Sequence, residues 1–424
     1  MPPVWKGAFN SHHQSGCGAV MLFALIQAAS FLLGEITVKV GVICSEEETQ
    51  YLHFKTGESL ENLPKHHLLG SIVQLMKKYP YPGDLAPESI DWVTNVALEL
   101  EQIYKPKFVF LSYANFYLIS LLKHPGLYDQ EALRRHLFAE VERFLRQTGL
   151  TPFIVGTGGT LPLEGEVDLT ELDGFVTASR LGPVYAGLYQ PSKRDLYYLN
   201  QLEAVQMILP QDRFAQVWRP PSNFEGGIPN YLLVAARGFA FGTPDSTKRP
   251  LYRVNARDNR IPVYAPDPIN SIVDIAPAVK KRLRKERVAL VVLEGIDLEH
   301  FAFGNDSCSN TYSWYTYLPG EGQYLAMTTG RHIIDHPYPP GYRDYQDEKG
   351  KTYPFSGYYR SLPIGTIGSL SSKTSIAVGS RSVLTHVASG ADISIEGYTR
   401  SLKQKGTLGV IEISKTRKDR TRRR

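Results

Sequence analysis

Acidic residues and histidines follow apolar runs at three places in the chain. Asp297 and His300 come after the run 288–293, Asp335 and His336 end the segment 331–336, and His386 follows the run 375–385. Carboxylate and imidazole groups together are typical ligands of zinc or manganese. Two such ions held close together can stabilise both the attacking and the leaving oxygen of a phosphoryl group. The pattern therefore predicts a divalent metal site formed by these five residues.

The elements that must position these residues have the composition of an α/β protein. Expected strands are 36–44, 107–113, 152–156, 231–236 and 288–293, and expected helices are 19–33, 90–104 and 130–148. The strands are rich in β-branched residues, and the helix 130–148 has apolar residues four apart on one face. Strands that alternate with helices indicate a mostly parallel central sheet flanked by helices. Such a sheet brings ligands from separate strands together at its carboxyl edge.

Other parts of the chain lack this alternating pattern. Residues 179–250 and 318–363 are rich in Pro, Gly, Tyr and Arg, and the second of these is expected to form long, ordered loops. Residues 255–268 contain three prolines and make the expected boundary between two portions. We therefore predict an α/β portion over 1–254, a portion over 255–414 that carries the candidate metal ligands, and a basic disordered tail over 415–424.

The charge of the chain is concentrated at its end. The formal net charge is +5, but residues 415–424 alone carry seven basic residues and one acid, a charge of +6. The remainder therefore carries −1, the difference between the two values. A nearly neutral body argues against a nucleic-acid-binding surface spread over the fold, so we expect a small anionic substrate as the partner. The sequence leaves the oligomeric state open.

The cysteines and the longest apolar run bear on the compartment. Cys17, Cys44 and Cys308 have neither disulfide nor zinc-ligand spacing, which favours a reducing cytoplasm. The run 19–33 is too short for a comfortable membrane span. It lacks the flanks of a signal peptide, so a buried helix is expected, with no membrane association.

The order of the candidate ligands resembles that of the alkaline phosphatase superfamily, which includes nucleotide pyrophosphatase/phosphodiesterases. Members carry a strand ending in Asp-x-x-x-His, a later Asp-His pair and a final His; here the first spacing is Asp-x-x-His. The resemblance covers about a third of the chain. It implies that Asp297, His300 and His386 hold one metal and that Asp335 and His336 share in the pair. It leaves the catalytic nucleophile unknown.

A glycine-rich turn after the strand 152–156 is a second candidate site. Thr157, Gly158, Gly159 and Thr160 could bind an anion through backbone N–H groups and the two hydroxyls, although a plain loop is the alternative. Three functions remain open. The first is a metal-dependent phosphoester hydrolase, the second a non-catalytic α/β binding or assembly protein, and the third an enzyme that uses Cys17.

Overall fold

The computed structural model describes residues 36–44, 49–52, 75, 78–178, 183–215, 229–242, 251–332, 376–379, 393–398 and 407–415. The helices in these ranges are α1 (Ser89–Tyr104), α2 (Asn115–Leu122), α3 (Gln130–Thr148), α4 (Lys193–Gln201), α5 (Gln211–Ala215), α6 (Ile275–Leu283) and α7 (Glu321–Thr329). The strands are β1 (Ile36–Cys44), β2 (Thr49–Leu52), β3 (Phe108–Tyr113), β4 (Thr151–Gly156), β5 (Thr160–Pro162), β6 (Gly165–Val167), β7 (Phe175–Ala178), β8 (Tyr185–Tyr189), β9 (Val205–Pro210), β10 (Tyr231–Ala235), β11 (Phe239–Phe241), β12 (Arg253–Asn255), β13 (Arg260–Tyr264), β14 (Val288–Leu293), β15 (Ser307–Ser309), β16 (Thr311–Tyr312), β17 (Tyr315–Thr316), β18 (Ile376–Gly379), β19 (Ile393–Tyr398) and β20 (Thr407–Lys415).

The largest sheet contains ten of the described strands, in the order β15-β13-β4-β14-β3-β18-β19-β20-β1-β2. Its centre is parallel: β14 pairs with β4 and β3, and β18 pairs with β3 and β19. Both flanks are antiparallel. The predicted α/β class is confirmed, but the sheet is mixed, with a parallel centre and antiparallel flanks, where a mostly parallel sheet was expected.

Helices cover both faces of the central strands. Alternate residues of β3 and β14 pack with α1 and α3 on one face, among them Val109, Leu111 and Val291. The intervening residues, such as Phe110 and Leu290, pack with α6 and α7 on the other. Every residue of β3 and β14 is buried. Because both faces are covered, these strands appear in the sequence as continuous apolar runs.

The local sequence fixes the ends of the predicted helix α3. The Asp129 side chain accepts a hydrogen bond from the Ala132 N–H at the first turn, which satisfies a backbone donor that has no partner within the helix. Gly149 follows the last turn with φ 61°, a conformation that glycine adopts at little cost. The predicted strands 36–44, 107–113, 152–156, 231–236 and 288–293 and the helices 90–104 and 130–148 are all present, with ends shifted by at most one residue.

Three expectations need correction. The helix α7 lies in the stretch 318–363, where long loops were expected, and β13 lies in the stretch 255–268, which was expected to be irregular. In the stretch 179–250, the strands β8 and β9 were not expected; they join the predicted strand β10 in a second sheet, in the order β7-β8-β10-β9. Short strands interrupted by Pro and Gly give too few residues for a period-two pattern to be recognised.

The expected boundary at residue 255 does not separate two sheets, since β14 lies between β3 and β4; the division into portions stays a prediction. The predicted helix 19–33 and all of the basic tail beyond Lys415 lie outside the described residues. Where the structure describes the chain, its helices are too short or too polar to cross a membrane.

Candidate functional site

Asp297 and His300 are in direct contact in the turn that follows β14. The Asp297 Oδ1 atom accepts a hydrogen bond from the His300 backbone N–H at 3.0 Å and lies 2.7 Å from His300 Nδ1. An ionised carboxylate only accepts hydrogen bonds, so in a neutral imidazole the tautomer that fits this contact has its hydrogen on Nδ1 and its lone pair on Nε2. The two side chains are 28% and 38% exposed, respectively. The His300 side chain is thus partly exposed, and in that tautomer its Nε2 atom could act as a metal ligand.

This pair has chemistry that suits a metal. Histidine ligands of metals usually donate their second ring N–H to a carboxylate, which fixes the tautomer and the ring orientation. The Asp297–His300 contact supplies such an arrangement, with carboxylate and imidazole donors typical of zinc or manganese sites.

The other predicted ligands, Asp335, His336 and His386, lie outside the described residues. Within the described ranges, no three side chains of His, Cys, Asp or Glu form a group that could hold a metal. Two of the five predicted ligands are therefore described and adjacent, and the metal site stays a prediction.

The glycine-rich turn after β4 is bonded to the turn that carries Asp297. The Thr157 N–H donates to the Leu293 carbonyl and the Gly158 N–H to the Ile296 carbonyl. The Thr157 hydroxyl accepts from the Gly295 N–H at 2.9 Å. These amides are used within the protein, so the geometry favours a structural role for Thr157, Gly158 and Gly159. Their binding of an anion, together with Thr160, stays a prediction.

Asp258 is a second carboxylate at this turn, and the sequence analysis missed it. Its Oδ2 atom accepts a hydrogen bond from the Gly159 N–H at 2.7 Å. A Cβ atom at Gly159 would lie 2.6 Å from Asp297 Oδ2, and one at Gly158 would lie 3.3 Å from Asp258 Oδ2. Residues without side chains at these two positions therefore let both carboxylates approach the same turn.

Burial raises the pKa of Asp258, and the negative charge of Asp297 raises it further, against the lowering effect of the Gly159 hydrogen bond. A carboxyl group whose pKa is higher in the folded state binds more protons there, so its contribution to stability falls as pH rises. The contribution of Asp258 to stability begins to fall near pH 3.8, the ordinary pKa of an aspartate. The fall is complete once the pH exceeds the raised pKa of the folded state.

We expect Asp258→Asn to be at least as stable as the wild type at about pH 7, with its advantage disappearing toward about pH 4. The asparagine Oδ1 atom can still accept from the Gly159 N–H, so the substitution removes the charge and keeps the hydrogen bond. Urea unfolding midpoints across this pH range measure the difference. A variant whose destabilisation grows as pH rises from about 4 to about 7 would show instead that the charge of Asp258 is favourable in the fold.

A buried polar network lies beside the turn. Glu294 directly follows β14 and is completely buried, and the Tyr324 hydroxyl donates to its Oε1 atom. The same hydroxyl lies 2.5 Å from the Ser112 Oγ atom. On the adjacent residue of α7, the Gln323 Nε2 atom donates to the Thr157 carbonyl at 3.1 Å. The helix α7 therefore supports the ends of β3, β4 and β14 through hydrogen bonds as well as apolar packing.

Sequence reasoning missed Glu294, although one signal was available. A lone carboxylate that directly follows six buried apolar residues lies at the end of an interior strand, and a glutamate is rarely buried there without partners. No comparable signal pointed to Tyr324 or Gln323, which lie in the stretch where loops were expected.

Comparison of the chain with protein-family models, with curated proteins and with solved structures finds no match. The site must therefore be interpreted from its own geometry.

Proposed function

We propose that the chain is a metal-dependent hydrolase of a phosphoester or a related small anionic substrate. The observation that supports this most is the partly exposed Asp297–His300 pair, in which the carboxylate contacts Nδ1 and does not occupy Nε2. The pair lies in the turn after β14, which pairs in parallel with a strand on each side, β3 and β4. Ligands of open α/β sheets bind at the carboxyl ends of such strands.

The proposed metal is zinc or manganese, held by His300 and Asp297 together with Asp335, His336 and His386. The last three enter through the resemblance of their order to the alkaline phosphatase superfamily. A bound divalent ion would polarise the phosphoryl oxygens and neutralise the charge that develops on them. The protein's own part is to fix the imidazole by the Asp297 contact and to keep the turn in place by its bonds to the loop after β4.

Metal analysis of the purified full-length chain tests this function. We expect one or two equivalents of zinc or manganese and hydrolysis of p-nitrophenyl phosphate or its bis ester. Both the metal and the activity should be lost in Asp335→Ala and in His336→Ala. Metal-free wild type that cannot be activated by either ion, together with unchanged stability in both variants, would exclude the hydrolase.

A non-catalytic binding or assembly protein is the second candidate, and one observation favours it. Asp297 closes its turn by accepting from both the backbone N–H and the ring of His300, so the pair is satisfied locally without a metal. The same metal analysis separates the two candidates. Stable, metal-free protein whose Asp297→Asn variant is weakened only in folding would support the second.

A further inference from the structure

Arg253 is held rigidly beside the glycine-rich turn. It is the first residue of β12, which pairs with β5, and its Nε atom donates to the Thr160 hydroxyl at 2.8 Å. Its Nη2 atom donates to the Thr160 carbonyl at 2.6 Å. Two hydrogen bonds to one residue fix the plane of the guanidinium group. Binding a ligand normally costs conformational entropy because it immobilises side chains. The Arg253 side chain is already immobilised when the chain folds, so this cost is reduced.

This arginine has no carboxylate within ion-pair distance in the described part of the chain, although it is half-buried. Burial lowers the pKa of Arg253, while Tyr128 and Asp297 act on that pKa in the opposite direction from beyond contact. Among the other partly buried arginines, Arg143 contacts Glu140, Arg282 contacts Asp267 and Arg287 contacts Glu101, whereas Arg257 donates to the Gln206 amide oxygen. A partly desolvated cation without such a partner is costly unless another anion approaches it.

A second polar group lies on the same face of β12. Asn255 is two residues beyond Arg253 and stands directly opposite Thr160 in the strand pairing. It is only 3% exposed, and among the described residues neither its Oδ1 nor its Nδ2 atom has a hydrogen-bond partner. The intervening residue Val254 packs into an apolar cluster instead. The face that carries Arg253 is therefore polar and incompletely paired, which an apolar packing surface would not be.

We propose that Arg253 binds the anionic oxygens of the substrate, with Thr160 holding the guanidinium in position. The inference rests on the proposed function and extends it, since it places the phosphoryl group on the side of the Asp297–His300 pair where Arg253 lies. It also assigns Thr160 a positioning role in place of the direct contact predicted from the sequence. Arginine suits this task because its planar group can donate two parallel hydrogen bonds to a phosphate.

Isothermal titration of the full-length chain with inorganic phosphate tests the assignment, both as purified and after treatment with EDTA. Arg253→Gln should bind phosphate about tenfold to a hundredfold more weakly than the wild type, as expected for loss of a charge-assisted hydrogen bond. Wild type that does not bind phosphate, or Arg253→Gln that binds it with unchanged affinity, would overturn the proposal. If the glutamine variant does not fold, Arg253→Lys decides in the same way, since lysine keeps the charge but not the planar pair of donors.

Arg260→Gln is the matched control. Arg260 donates the same two kinds of hydrogen bond to Ser307, from Nε to the hydroxyl at 2.9 Å and from Nη2 to the carbonyl at 2.6 Å. Unlike Arg253, it is exposed, and it lies on β13. Its loss should leave phosphate affinity within about twofold, as for a screened surface charge. An equal loss in both variants would mean that phosphate responds only to net charge, which contradicts the assignment.

Asp297→Asn separates this inference from the proposed function. Removing the negative charge near Arg253 should preserve or strengthen phosphate binding by the EDTA-treated chain. Protein that binds no metal, yet binds phosphate in a manner dependent on Arg253, would exclude the hydrolase and leave the anion site standing. Metal-dependent hydrolysis whose rate is unchanged in Arg253→Gln would support the hydrolase and exclude Arg253 as the anion-binding residue.

Discussion

Asp297→Asn is expected to lower the rate of the proposed phosphoester hydrolysis by about 100-fold or more and to abolish binding of the proposed metal. Loss of groups that merely orient metal ligands already costs about 10- to 100-fold in metal affinity or activity, and Asp297 is proposed both to orient His300 and to contribute a ligand. The asparagine Oδ1 atom can still accept from the His300 backbone N–H, which the wild-type carboxylate binds at 3.0 Å. The turn should therefore persist, and stability should change by less than about 1 kcal/mol.

Steady-state kinetics with p-nitrophenyl phosphate and metal analysis measure the two effects. Asp306→Asn is the matched control, since Asp306 is an exposed aspartate in the segment that follows the same turn. It should keep both metal and activity. Full activity in Asp297→Asn would exclude Asp297 from the site. A matching loss in Asp306→Asn would show that general charge, rather than the Asp297–His300 pair, governs the reaction.

Leu290→Ala should produce the largest loss of stability among these variants. Leu290 is completely buried in β14, which is paired on both sides by β3 and β4. Truncation to alanine removes apolar contacts and leaves a cavity that the surrounding strands cannot close, at a cost of about 2–5 kcal/mol.

The midpoint of urea unfolding, followed by circular dichroism, reports this loss. Leu127→Ala provides the comparison because the Leu127 side chain is 72% exposed, and its truncation should cost no more than about 0.5 kcal/mol. Similar midpoints for the two variants would mean that β14 does not lie at the centre of the cooperative core.

The central strands were predictable because burial on both faces makes them continuous apolar runs. The strand pairing was not predictable in the same way. Nothing local in Val288–Leu293 specifies that β14 enters between β3 and β4, since that order depends on packing by distant helices. The antiparallel flanks were missed for a related reason: alternation of strands with helices predicts crossovers but gives no information about the strands added at the edges.

The candidate site was predicted only where its residues are close in sequence. Asp297 and His300 are three residues apart, so the end of one apolar run revealed both. Asp258 and Arg253 come to the turn through the pairing of β12 with β5, across about ninety residues of chain; the hydrogen bonds of Arg253 to Thr160 span a separation of 93. The local sequence around Arg253 contains no recognisable motif, so only the fold reveals these neighbours.

The hydrogen bonds between the two loops have a consequence for how a substrate is admitted. Since the Thr157 and Gly158 amides and the Thr157 hydroxyl all bond to the segment 293–296, neither loop can swing outward without breaking several contacts of the other. A small molecule that approached these loops would therefore meet a surface whose shape was fixed during folding, and discrimination would depend on steric fit rather than on closure of the loops.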